Sequence, residues 1–505
     1  MIYDYDIPFA VFIDAYKASH AFLFPPAEER QAYGEFRRSF NKDHSDHRIL
    51  FYGLRHVVDR YVARRWTIDD VKRAADFFKT LNVGQTPYPF PEELLTSIVK
   101  ECDGWFPVKI MGLPEGSVIY PHTPVYTITA KDKYACLVTW LETLLTMVWY
   151  PTTVATLSRR TRSLIKEFFD QSVEQSQHCL LDSGLQDFGF RGCASLEQAL
   201  LGGSAHLLSF ISSDTAIAAY HVQYNLNGGI PLASTIPSTE HSVMLSHKDE
   251  LSAINRIMQE HGERSYGIVM DTYDYAYALK KILPVVREEK IRMGGLMVIQ
   301  PDSGDPIESV LMGLGALEKV FGVQINALGY KVLNRCSVIQ GDGIDYETIR
   351  SILEAVLAAG FSAQNVVFGM GSGLLQRVNR DTMSFATKLC YQRTADGHER
   401  DICKTPKADN DKTSLPGRFA LRRNNDGCII VYPDNGAYEG EEVMQVYYDH
   451  GKVEQAGKLF SELRTDSIHD WEVMPKIFDP VSRELKDRQQ ALISKNRAKL
   501  AQLKV

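Results

Sequence analysis

Four short runs, YGIVMD (266–271), LMVIQPD (296–302), SVIQGD (337–342) and VVFGMGSG (366–373), decide the fold. Each begins as an apolar stretch rich in β-branched residues, the composition of a strand buried on both faces. The first three stop at an aspartate (Asp271, Asp302, Asp342), and the fourth stops among Gly369, Gly371 and Gly373. Helical periodicity follows each run, over 273–282, 306–320, 346–358 and 374–382. The run ends lie roughly 30–40 residues apart, the length of one strand–helix unit.

Repeated strand–helix units build either a barrel or an open doubly wound sheet, and both collect ligands at the carboxyl ends of the strands. Three aspartates and a glycine cluster at successive strand ends therefore point to one place. The competing use of each aspartate is as a cap on the helix that follows. Outside this region the pattern changes. GLPEGSVIYPHTPVYTITA and GCIIVYPDNGAYEGEEVMQVYYDHGKV alternate short runs with turn residues and read as antiparallel hairpins in a second, β-rich module. The basic segment after Pro480 reads as a solvated surface helix.

At 505 residues and 44% hydrophobic content the chain can bury a large core. A net charge of -7 argues against a nucleic-acid partner. The eight cysteines stand apart at 102, 136, 179, 193, 336, 390, 403 and 428, so no CxxC pair exists and a reducing, cytoplasmic setting is expected. MIYDYDIPFA has no basic start and does not read as a secretory signal. The most apolar helical stretch, 140–149, contains Glu142 and stops at Pro151; it reads as a core helix too short for a membrane.

Several groups carry chemistry. LQDFGFRG (185–192) combines Phe188, a flat face for a heteroaromatic ring, with Arg191, a clamp for phosphate or carboxylate. The alternative is a core Phe beside a paired Arg. Asp214, in SSDTAIAAY, either caps a helix or accepts a hydrogen bond from a ligand amide. His241, in IPSTEHS, becomes a nucleophile if a carboxylate such as Asp271 fixes its tautomer. FGMGSGLLQR (368–377) reads as a glycine turn opening a helix, where backbone N–H groups meet phosphate oxygens, with Arg377 and Arg380 three apart on one helical face.

With these residues in view, the chain resembles the nicotinamide phosphoribosyltransferases, type II phosphoribosyltransferases, over nearly its whole length. The matching stretches include DAYKASH (14–20), YGLRHVVDRYV (52–62), WLETLLTMVWYPTTVATLSR (140–159), LQDFGFRG, SAHLLSFISSDT (204–215), STEHS (238–242), MDTYD (270–274), PDSGDP (301–306), VIQGDGID (338–345) and FGMGSGLLQR. The resemblance implies an irregular α/β barrel over 146–384 carrying the active site. It implies a flanking β-rich α+β domain from 1–145 and 385–480, a helical tail at 481–505, and a homodimer whose sites use both subunits. The implied reaction joins nicotinamide to the ribose of phosphoribosyl pyrophosphate (PRPP), with Mg²⁺ and with ATP as co-substrate. Phe188 then stacks on nicotinamide, Tyr16 of the other subunit covers its second face, and Asp214 accepts its amide. Arg191 lies beside ring and phosphate. His241 is the phosphorylated histidine and Asp271 its partner. Asp302, Gly341 and Asp342 surround the ribose and its phosphates, and Gly371, Ser372 and Arg380 contact phosphate.

Three positions depart from the pattern. Gln300 replaces an arginine before PDSG, Ser372 replaces a glycine, and Ser39 falls where a phosphate-binding arginine is expected, with Arg37 or Arg38 as substitutes. A carboxylate at Asp214 favours an uncharged amide over nicotinate, whose like charge costs on the order of a few kcal/mol in a partly dry pocket. The alternatives are a nicotinate phosphoribosyltransferase and a non-catalytic nucleotide-binding homologue.

Overall fold

The computed structural model describes residues 6–406, 413–454 and 457–502. Two compact units divide the chain. One is Leu157–Val378; the other takes the chain up to Thr156 and from Asn379 on. These borders differ from the expected 145/146 and 384/385. A single helix, Trp149–Ser172, runs through the first of them. Pro151 does not end a helix. It sits in the first turn of this one, where its missing N–H leaves no helical bond unmade.

In the Leu157–Val378 unit, five parallel strands pair in the order β1-β5-β4-β3-β2: β1 (Leu185–Asp187), β2 (Tyr266–Val269), β3 (Met297–Gln300), β4 (Cys336–Gln340) and β5 (Val366–Met370). The four apolar runs became β2 to β5. Register partners Gly267, Val298 and Ser337 face an interior cavity, as do Val269 and Gln300 one step on. Ile299 and Val338 point the other way and meet Gly313 of the helix Pro306–Phe321. One face is buried toward the cavity and the other under the helix, which is why the runs lack a polar alternation.

The sheet closes on itself through minimal strands. Ser213 bridges Asp187 at the end of β1, Ser212 bridges Ser234, and Ser238 bridges Gly267 of β2, all parallel. Backbone bonds accompany them, including Asp187 N–H to Ser212 O (3.2 Å) and Gly267 N–H to Pro237 O (2.8 Å). A Cβ on Gly267 would lie 2.5 Å from Ser238 Oγ, so this approach requires glycine. The result is an irregular closed barrel.

The strand-end aspartates do not cap helices. Asp274, Asp305 and Asp345, each three residues beyond Asp271, Asp302 and Asp342, do so instead. Asp274 accepts from Tyr277 N–H, Asp305 from Ile307 and Glu308 N–H, and Asp345 from Thr348 N–H, all at 2.9–3.0 Å. The helix expected over 374–382 is only Ser372–Leu375. Ser372 O receives both Gln376 N–H and Arg377 N–H, which closes the turn. Arg377 and Arg380 therefore share no helical face, and Arg377 faces Asp345 at 3.6 Å.

The other unit holds a seven-stranded antiparallel sheet in which Glu29–Phe36 pairs with the central strand Pro124–Lys131 on one side and with Phe385–Arg393 on the other. Both ends of the chain thus contribute adjacent strands. Helices Tyr16–Leu23, Ile68–Leu81 and Glu92–Glu101 add to it. The C-terminal helix Arg483–Gln502 is not simply solvated: Leu485 and Ile493 are buried, and Arg488 grips Asp401 at 2.5 and 2.7 Å. No helix among the described residues is long and apolar enough to cross a membrane.

At the amino end of the strands, buried Asn365 donates to Lys331 O (2.7 Å) and Ser362 O (2.8 Å) and accepts from Leu333 N–H (2.8 Å). Asn365→Leu keeps the volume but removes three side-chain hydrogen bonds and takes the acceptor from Leu333 N–H, while Lys331 O and Ser362 O keep Ser362 N–H and Asn365 N–H. It should lower stability by about 3 kcal/mol or more, read as a lower urea midpoint; an unchanged midpoint would show that these bonds do not hold the rim.

Candidate active site

A cavity of about 1290 Å³ occupies the barrel of the Leu157–Val378 unit. Phe188, Arg191, Asp214, His241, Asp302, Gly341, Gly371 and Ser372 line it at the carboxyl ends of the strands, and Leu333, Arg335 and Asn365 line it at the opposite rim. All of these lie within one unit.

Phe188 follows β1 directly, and its N–H donates to Met370 O at 3.1 Å. Its ring lies over the ends of β4 and β5. A Cβ on Gly369 would fall 2.1 Å from Phe188 Cε2, and one on Gly341 3.2 Å from it, so glycine at 369 makes the seat for the ring. Phe188 is half-buried and Arg191 is exposed, with no ion pair among the described residues; the pair is not a core Phe beside a bound Arg.

Asp214 is not a helix cap. The helix Ala216–His221 is preceded by Thr215, and the Asp214 carboxylate instead receives Gln186 Nε2 at 2.9 Å and the Thr235 hydroxyl. Gln186 Nε2 also donates to Thr235 Oγ1 at 2.9 Å. Behind them Asp187, fully buried, accepts from Gly189 N–H (2.8 Å) and from Ser213 Oγ (3.4 Å).

His241 stands between two carboxylates. Nε2 is 3.3 Å from Asp271 Oδ1, and Nδ1 is 3.7 Å from Asp302 Oδ2. The second oxygen of Asp271 is held by Asp302 N–H (2.9 Å) and Ser303 Oγ (2.6 Å). Asp271 is therefore fixed and can orient the ring through Nε2–H, with Nδ1 turned toward Asp302. Burial pushes the Asp302 carboxyl up from its ordinary value. The charges of Asp271 and Asp342 push the same way, while a hydrogen bond from Gln300 Nε2 (3.3 Å) and the nearby imidazole oppose them. Asp342 is exposed beside this group.

Not every expected residue joins this cluster. Tyr16 and Arg380 belong to the other unit, as do Ser39, whose hydroxyl donates to Asp43 O at 2.6 Å, and Arg37, whose Nε donates to Ser384 O at 3.1 Å. Conversely, Gln186, Asp187, Thr235 and Ser303 hold these side chains in place and were not anticipated. Gln186 and Asp187 lie inside LQDFGFRG and Ser303 inside PDSG, so their neighbours flagged them; nothing in the sequence around Thr235 did.

The fold itself has known counterparts. The human nicotinic acid phosphoribosyltransferase structure superposes with a TM-score of 0.61 at 16% identity, covering 95% of this chain and 99% of that one. Residues 184–452 match the nicotinate phosphoribosyltransferase family, which sets the class. Residues 8–110 match the N-terminal domain of nicotinamide phosphoribosyltransferase. The nicotinamide phosphoribosyltransferase of Xanthomonas campestris pv. campestris is 38% identical over 424 residues, 81% of this chain and 86% of the relative. That of Acinetobacter baylyi is 28% identical over 485 residues, 87% and 93% of the two chains. The chain belongs to the nicotinamide phosphoribosyltransferase family of pentosyl-transferring enzymes.

Gln300→Leu removes the hydrogen bond that favours ionised Asp302. Burial and the like charges of Asp271 and Asp342 are then less opposed, so the Asp302 carboxyl should titrate at higher pH than in the parent. Carboxyl-carbon NMR of the two proteins checks this; a titration that stays put or moves down contradicts the arrangement.

Proposed function

We propose that nicotinamide stacks on Phe188 with its amide on Asp214, while PRPP lies across Asp302, Asp342 and the Gly371–Ser372 turn. The reaction is nicotinamide phosphoribosyl transfer in NAD salvage, yielding nicotinamide mononucleotide and pyrophosphate. One observation carries the assignment: Phe188, Asp214, His241, Asp302, Gly341 and Gly371 all line a single cavity.

The chemistry suits these residue types. As pyrophosphate leaves, the ribose gains oxocarbenium character, which carboxylates at the strand ends stabilise. The pyridine nitrogen is a poor nucleophile in water, so a fixed ring aimed at the anomeric carbon supplies much of the gain. Asp214 is exposed to the cavity in the free chain. Its discrimination against nicotinate therefore develops as the stacked base displaces water, since the repulsion between two carboxylates grows as the dielectric falls. Among the described residues no group of three or more His, Cys, Asp or Glu side chains is placed to hold a metal. That fits Mg²⁺, which binds through one or two carboxylates plus phosphate oxygens and water. Asp302 and Asp342 are the carboxylates available, and the ion would neutralise the leaving pyrophosphate.

In this reading His241 attacks the γ-phosphorus of ATP through Nδ1, ADP departs, and hydrolysis of the phosphohistidine drives the transfer forward. Asp271 holds the imidazole by Nε2–H throughout. Tyr16, 52% exposed, is free to cover the second face of the base in a partner subunit, and Arg380 to meet phosphate there, which makes the working form a homodimer.

Product analysis with nicotinamide, PRPP and Mg²⁺, with and without ATP, is the test. Nicotinamide mononucleotide should form faster with ATP, and His241→Ala should abolish that stimulation. Full stimulation in the variant would exclude the phosphohistidine, and faster consumption of nicotinate than of nicotinamide would overturn the base assignment.

A further inference from the structure

We propose that Gln186 is a positioning residue for base recognition: with Thr235 it clamps one oxygen of Asp214, so that the other is presented to the amide of the bound ring. This rests on the reading of Asp214 as the amide acceptor.

An exposed aspartate is a poor template. Its terminal torsion is broad and roughly two-fold, so either oxygen can point at a ligand, or neither. Asp214 escapes this because three segments meet at its Oδ1. Gln186 is 8% exposed on β1, where Gly369 of β5 is its register partner, so the sheet ladder fixes its backbone. Thr235 lies on the segment between the single bridges at Ser234 and Ser238. Gln186 Nε2 lies 2.9 Å from both Asp214 Oδ1 and Thr235 Oγ1, on the same side, so its amide is shared between them. The Thr235 hydroxyl proton then goes to the same Oδ1. The circuit is closed and directional. Turning the Gln186 amide over would set its oxygen against the carboxylate and the hydroxyl lone pairs.

Oδ1 is thereby saturated, and Oδ2 receives no hydrogen bond among the described residues. A clamped carboxylate offers a preset acceptor to an amide N–H, and it cannot swing aside to relieve repulsion from a carboxylate on the ring. One device therefore serves both affinity for nicotinamide and rejection of nicotinate, by lowering the ordering cost of binding.

Steady-state kinetics with nicotinamide and with nicotinate, at saturating PRPP, test this on Gln186→Met, Thr235→Val and Asp214→Asn. Gln186→Met keeps the size of a buried side chain, whereas Thr235→Val opens the clamp from its exposed side and leaves the interior alone. Both should raise the KM for nicotinamide about tenfold, the loss of one net hydrogen bond. kcat and the KM for PRPP should change much less, nicotinate should gain relative to nicotinamide, and Thr235→Ser should restore the parent values. If the two clamp variants keep the nicotinamide KM while Asp214→Asn raises it, the clamp is wrong and the amide-acceptor reading stands. If Asp214→Asn also leaves it unchanged, that reading falls and takes the clamp with it. A parallel loss in kcat and in both KM values would mark a general packing defect and overturn the positioning role.

Discussion

A buried carboxylate, Asp187, ties the Phe188–Asp214 side of the cavity together. One oxygen takes the N–H of Gly189 and so shapes the turn that carries Phe188. The other takes the hydroxyl of Ser213, and the Asp187 carbonyl takes Asp214 N–H at 3.1 Å. Phe188 and Asp214 are thus referred to a single residue at the end of β1. A fully buried anion is tolerable only when its donors are in place, since leaving it unpaired costs more than any one contact returns. The geometry of the slot is therefore coupled to the barrel's closure at the Asp187–Ser213 bridge.

Around His241 and the ends of β2 to β4 the same residue type does two jobs by doubling. Asp-x-x-Asp recurs at 271–274, 302–305 and 342–345. The second member satisfies the helix N-terminus, and the first is left free of that duty. Around His241 the released carboxylates then differ. Asp271 is pinned by Asp302 N–H and Ser303 and can only orient the imidazole, whereas Asp302 faces it across a longer gap with its carboxyl pushed up by burial. Gln300, neutral where relatives were expected to carry arginine, tempers Asp302 by a hydrogen bond rather than by charge.

The barrel and its ligand end were legible because β2 to β5 are long enough to show β-branched apolar runs with an Asp or Gly full stop. The closure was not. Residues 212–213 and 234–238 are serine-rich and hold by single bridges, so no periodicity marks them. Residue type and context pointed to Phe188, Asp214, His241 and Asp302, which line one cavity, while Thr235 and Gln186 bond to Asp214 and have no signature of their own. The helix expected over 374–382 failed because apolar spacing persists past Ser372, whose carbonyl closes the turn early. Pro151 misled in the opposite sense, since the first turn of a helix accepts what its interior rejects.

On the side of the barrel between β1 and β2 there is scarcely a ladder: each joint is one residue pair. Those are also the segments that carry Asp214 and Thr235. Sparse backbone pairing opens at low cost, so the wall is most compliant beside Asp214 and Thr235. A base lodged there would act as a missing rung, tying the loose staves to the firm ones, and recognition would be felt first as local stiffening.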